Sequence, residues 1–199
     1  MTVQRVGDWN RARNLLRTLP VDLGSAMEKA LRQEGEYLRR EIVEGITKQS
    51  PGGEDMKPLA ATTLAARLLR NFTGSKALIW KGDLRGAIAS IYEGGRIFVG
   101  VPRKARDSQG RPTIDIAQIN EFGSGPIVVR MTVKMRRFLA ALYARAGAPR
   151  HEGSGGGFAV IRIPPRPFLG PAFERFRQGV DRRFLTRVVS LLGLGKGGR

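Results

Sequence analysis

Ile163 Pro164 Pro165 Arg166 Pro167 Phe168 Leu169 Gly170 Pro171 decides how the C-terminal part of this chain folds. Pro164, Pro165 and Pro167 remove three backbone donors and hold φ at about −65°, so the stretch suits neither a helix interior nor a central strand. It predicts a stiff extended arm, with Phe168 and Leu169 as apolar plugs that pin it to a sheet. Upstream, Phe158 to Ile163 alternates as a strand that enters the arm. Downstream, Pro171 suits the first turn of a final helix. On that helix Phe173, Phe176, Val180, Phe184, Val188 and Leu191 make one continuous apolar stripe. Residues 193 to 199 read as a flexible basic tail.

Further back, the clearest β signal spans residues 87 to 101. Ile88, Ser90 and Tyr92 fall on one side of an extended segment, and Ala87, Ala89 and Ile91 on the other. Glu93 Gly94 Gly95 Arg96 then turns the chain into Ile97 to Val101. Ile127 to Val129 predicts another strand. Asp115 caps a short helix that closes at Gly123. Thr132 opens a helix that Gly147 stops, with Met135, Phe138, Leu139 and Leu142 inward and Lys134, Arg136, Arg137 and Arg145 outward.

After Pro20, the recurrence of Met27, Leu31, Leu38, Ile42 and Ile46 predicts an amphipathic helix capped by Asp22 or Ser25. Its length is about 24 residues, or about 36 Å. Pro51, Gly52, Gly53 and Pro58 end it in a loop, and Thr62 or Thr63 caps a short helix through Leu64, Leu68 and Leu69. The fold class that follows is α+β: a small, mainly antiparallel sheet packed on a long helix, with additional N- and C-terminal helices. Residues 1 to 192 are read as a single domain with helical extensions, because 199 residues hold one sizeable core but not comfortably two. The sequence carries no internal repeat.

Composition narrows the function classes. Hydrophobic residues make up 41% of the chain, and no apolar run approaches the roughly 20 residues of a membrane span. A soluble protein with no membrane partner is expected. Residues 1 to 20 carry Arg5, Arg11, Arg13 and Arg17 without an apolar leader core, which predicts assembly in a cytoplasm. Cysteine is absent, so disulfides, thiol nucleophiles and thiolate metal sites are excluded together. Lys and Arg number 35 against 17 Asp and Glu, a net charge of +18. Such an excess calls for an anionic neighbour, either nucleic acid or acidic partner subunits.

Catalytic machinery is thin. His151, the one histidine, lies beside the flexible Gly153 to Gly157 loop and reads as a solvated residue. Asp55 sits in a Pro/Gly loop, so nothing holds it beside Glu54, Asp83 or Glu121 with metal-ligand geometry. Neither Gly153 to Gly157 nor Gly82 to Gly86 has the spacing of a phosphate loop. No enzyme, cofactor or metal is predicted. Two long apolar helices over one modest sheet do leave more stripe than one core buries, which predicts subunit contacts.

Four stretches in order carry a resemblance: Pro58 to Arg67 (PLAATTLAAR), Leu78 to Arg85 (LIWKGDLR), Ala117 to Gly123 (AQINEFG), and the proline arm. Together they resemble the virion morphogenesis, or tail-completion, family of tailed phages, over about residues 46 to 173. The resemblance implies a structural virion protein at the neck or the head-proximal end of the tail, assembled in the host cytoplasm, that completes the tail and joins it to the head. It further implies a homo-oligomeric ring, six-fold for preference, contacting other neck and tail proteins around a channel crossed by duplex DNA. Loops 102 to 112 and 149 to 157 are expected to reach neighbouring rings. Arg103, Lys104, Arg106, Arg111, Lys134, Arg136 and Arg137 are candidates for non-specific contact with DNA or a partner. Glu121, Phe122, Gly123, Arg166, Pro167 and Phe168 are candidates for a seam within the fold or between subunits. From charge alone, the alternative is a cellular protein that binds nucleic acid without sequence preference.

Overall fold

The computed structural model describes residues 9 to 147 and 157 to 194. His151, most of the glycine-rich loop and residues 195 to 199 lie outside them. The described fold is α+β, built around α1 (Trp9–Lys48), a helix of 40 residues. This helix runs through Pro20, so neither Asp22 nor Ser25 caps it. Arg11, Ala12, Arg13, Leu15 and Leu16 are good helix formers, and they extend the helix past the position of the missing proline N–H.

Ala26, Ala30, Glu34, Leu38, Ile42 and Ile46 are the buried line of α1, a strict four-residue ridge. In its first half the small residues Ala26 and Ala30 face the partner helix, while Met27 is exposed. Two cores result. Leu38, Ile42 and Ile46 join Leu84, Ile88, Val101, Ala117, Phe168 and Ala172 in the larger one, and Ala26 and Ala30 meet Val188 in the smaller.

After Pro51–Gly53, a single 3₁₀ turn, α2 spans Ala61–Leu68. It starts at Ala61 with Ala60 at the N-cap, which puts Thr62 and Thr63 inside the first turn instead of at the cap. The short α3 (Asp83–Gly86) feeds β1 (Ala89–Glu93), which pairs antiparallel with β2 (Arg96–Gly100) in the register Glu93↔Arg96. Gly94 and Gly95 make the two-residue turn at φ 54° and 76°, as a hairpin with right-twisted strands requires. This hairpin lies on α1 at Gly35, where a Cβ would stand 2.0 Å from Ile97 Cδ1.

α4 (Thr113–Phe122) follows Pro112 at its N-cap, so Asp115 sits within the first turn, favourable for its charge there. β3 (Ile127–Arg130) and β4 (Phe158–Ile161) form a second antiparallel pair, separate from the first. The strand content is thus one hairpin, β1–β2, and one two-stranded ribbon, β3–β4, whose strands are separated by residues 131 to 157. Between β3 and β4, α5 (Val133–Ala146) starts at Thr132, whose hydroxyl accepts from the Met135 N–H at 3.2 Å, and ends at Gly147 with φ 59°. Its main neighbour is α2. Leu142 is buried, but Met135 and Phe138, expected inward, are exposed, because one short helix covers only part of the stripe.

The expected single C-terminal helix is two: α6 (Gly170–Arg177) and α7 (Val180–Leu191). Gly179 at φ 74° breaks them. The break lets α7 turn along the first half of α1, where buried Glu34 accepts from Arg183 Nε at 3.3 Å and Arg187 Nε at 2.5 Å. Among the described residues no helix is long and apolar enough to cross a membrane.

Candidate functional site

The proline arm is held by α4 and the 57–58 loop. Glu121, in the last turn of α4, accepts three backbone N–H groups: Phe168 at 2.8 Å, Leu169 at 3.0 Å and Gly170 at 2.8 Å. Its carboxylate therefore closes the arm and caps the free donors at the start of α6. Arg166 N donates to the Asn120 carbonyl at 2.6 Å. The Arg166 guanidinium reaches the carbonyls of Lys57 and Pro58, each at 3.0 Å.

Gly123 completes the junction. It has φ 80°, and a Cβ there would sit 3.1 Å from both the Ile163 carbonyl and Pro165 Cδ. The arm runs against this spot through Ser124 N donating to Ile163 O at 3.0 Å and Ile163 N donating to Ser124 Oγ at 2.9 Å. Phe168 then enters the main core at 0% exposure, in a cluster that joins α1 and α4 to Ile88 and Val101 at the ends of the β1–β2 hairpin. Glu121, Gly123, Arg166 and Phe168 thus meet within one chain, and Pro58 and Leu84 bring the other two quoted stretches to the same place. Pro167 is exposed, and Phe122 projects outward at 79% exposure. Phe122 instead edges an apolar groove with Val99, Leu169 and Phe173.

The 102–112 segment is folded back on itself. Arg106 pairs with Pro112 in an isolated antiparallel bridge, and Arg106 Nη1 donates to the carbonyls of Arg103 and Ala105. Asp107 is buried. Its carboxylate accepts from Gln109 N at 2.9 Å, Arg111 N at 2.8 Å and Arg111 Nε at 2.8 Å. Burial pushes this carboxyl up, but the Arg111 and Gln109 donors and the Arg111 charge outweigh it and hold the group below its ordinary value. Arg111 is therefore engaged locally, while Arg103 and Lys104 are exposed. Lys134, Arg136 and Arg137 are exposed on a different element, α5.

A folded-state pKa below the unfolded one stabilises at pH values above the unfolded pKa, and the contribution is lost as pH falls through the folded pKa. Acidification below about pH 4 should therefore loosen the 105–112 turn. Asp107→Asn is expected to flatten the acid limb of a melting-temperature profile; an acid limb as steep as the wild type's would show that Asp107 does not carry it.

Sequence reading missed two features. Val128, Val160 and Phe158 share one face of the β3–β4 ribbon and are 62%, 62% and 66% exposed. Their alternation was legible, but which face is covered was not. Arg67, in α2, is buried and lines an open cleft, although an arginine on a short helix ordinarily reads as surface. Among the described residues no group of three or more His, Asp or Glu could hold a metal. Comparisons with models of known families, with curated proteins and with solved structures give no match for this chain.

Proposed function

We propose that the protein is a non-enzymatic structural subunit that assembles into a homo-oligomeric ring at the neck or head-proximal end of a phage tail, completing the tail and joining it to the head. The observation that carries the assembly reading is the two-stranded β3–β4 ribbon. An isolated pair of strands is marginal by itself in water, and this one turns Val128, Val160 and Phe158 to solvent on one face while Ile127 and Ile161 on the other are also exposed. A neighbouring subunit that covers the face would stabilise ribbon and assembly together. Where this face meets a different patch of the neighbouring subunit the contact is heterologous, and it closes into a ring when the rotation allows.

The position in a virion rests on the ordered sequence stretches, and the net charge of +18 suits a ring around duplex DNA. Exposed Arg103, Lys104, Lys134, Arg136 and Arg137 are the proposed phosphate contacts, through charge and without sequence readout. Phe158→Ser with Val160→Ser tests the assembly directly. Light scattering should find about six copies in the wild-type particle and a monomer in the double variant, with the far-UV circular dichroism unchanged. Equal masses would remove the β3–β4 ribbon from the interface.

A further inference from the structure

Arg67 and Arg166 are 5% and 8% exposed, and among the described residues neither has a carboxylate partner. Arg67 Nη1 donates to the carbonyls of Gly74 at 2.8 Å and Lys76 at 2.9 Å. Arg166 donates only to carbonyls as well. Such bonds satisfy donors but do not neutralise a charge, and a buried cation without a counter-ion is costly. Burial first, and the Arg166 charge second, hold the Arg67 guanidinium below its ordinary value.

The nearby carboxylates are engaged elsewhere. Glu121 serves the arm, Asp107 holds Arg111, and Asp83 accepts from Ser108 Oγ at 3.0 Å. Arg67 Nε is buried without a partner, and among the described residues Nη2 has no acceptor either.

Arg67 lines an open cleft of about 730 Å³ between α2, the 78–84 segment and the 107–111 turn. Four cations line it, Arg67, Arg70, Lys81 and Arg111, against the carboxylates Asp83 and Asp107. Asp107 and Arg111 cancel each other, which leaves three cations facing Asp83 alone. Trp80 organises two of them. Its ring stacks on Phe72 at 5.8 Å, with the guanidinium carbons of Arg67 and Arg70 at 5.7 Å and 5.3 Å from its centroid. Aromatic faces of this kind hold cations in place while leaving their N–H edges free.

We infer that this cleft is a phosphate-binding site, with Arg67 as its buried anchor and Arg70 and Lys81 as the exposed groups that close on the ligand. A monocarboxylate would neutralise one of the three cations. A phosphate group carries more charge and more acceptor oxygens, and it accepts guanidinium donors bidentately. The phosphate could be free or part of a DNA backbone; the recognising chemistry is the same. All the residues belong to one chain, so the site stands whether or not the chain forms a ring.

The test is thermal unfolding of the full chain in Hepes at constant ionic strength, titrated with inorganic phosphate. Saturation is expected to raise the melting temperature by about 3 °C, and sodium acetate is expected not to. Arg70→Ala with Lys81→Ala, both exposed in the free protein, should move the phosphate-free melting temperature by no more than about 2 °C and weaken phosphate binding about tenfold. Arg136→Ala with Arg137→Ala, on α5, should bind phosphate as the wild type does. Short duplex DNA distinguishes the sources: a shift of the phosphate midpoint that needs Arg70 and Lys81 assigns the site to backbone phosphate, and no shift assigns it to the free ion. No rise in the wild type, an equal rise with acetate, or an undiminished rise in the Arg70/Lys81 variant would overturn the site.

Discussion

Glu121→Ala is expected to lower stability by about 3 kcal/mol, a fall in melting temperature of about 8 °C for a chain of this size. One carboxylate accepts the N–H groups of Phe168, Leu169 and Gly170, and no second acceptor for these three donors is present among the described residues. Bonds to a charged acceptor contribute more than neutral ones. The three are not additive, since water reaches the exposed Gly170 once the side chain is gone. Glu121→Gln keeps one carbonyl oxygen and should lose about half as much. A melting temperature within about 2 °C of the wild type's would show that α4 does not hold the arm.

Phe168→Ala carries the larger cost, about 4 kcal/mol. Phe168 is fully buried in a cluster drawn from α1, α3, α4, α6 and the ends of the β1–β2 hairpin. Truncation removes its transfer free energy and leaves a cavity walled by several elements that cannot all relax into it. The denaturation midpoint should fall by about 12 °C, and Phe168→Leu should recover most of the loss. An alanine variant that melts with the wild type would mean that the arm is only loosely seated, and the account of the junction would fail.

Both substitutions lie in the part of the fold most legible from the sequence. The prolines dictate an extended arm, Gly123 dictates a backbone that side chains avoid, and Phe168 has nowhere apolar to go but inward. The Gly94–Gly95 turn, the Thr132 cap and the Gly147 stop were legible for the same reason, because local chemistry fixes them. What failed depended on a distant partner. Ala26 and Ala30, rather than Met27 and Leu31, carry the buried line of α1, since close approach of α7 requires small residues there. That approach in turn requires the break at Gly179, which an uninterrupted apolar stripe concealed.

Exposed Met135 and Phe138 show the converse: a stripe on α5 with too few neighbours to cover it. The cleft around Arg67 was not legible because burial of that arginine depends on Phe72 and Trp80 stacking, a contact no local pattern specifies. The Asp107 turn was hidden likewise. A run of arginines around Asp107 reads as a solvated basic loop until the buried carboxylate is seen to fold it.

The central proposal is that the β3–β4 face, exposed in one chain, is covered in an assembly that surrounds DNA without reading it. Light scattering of the full chain at moderate salt, repeated with short duplex DNA, tests this most directly. The account predicts a closed particle of about six copies, its mass set by protein contacts and unchanged in number of chains when DNA is added. A monomer or dimer that instead saturates with DNA at the same salt would contradict it and favour a cellular nucleic-acid-binding protein.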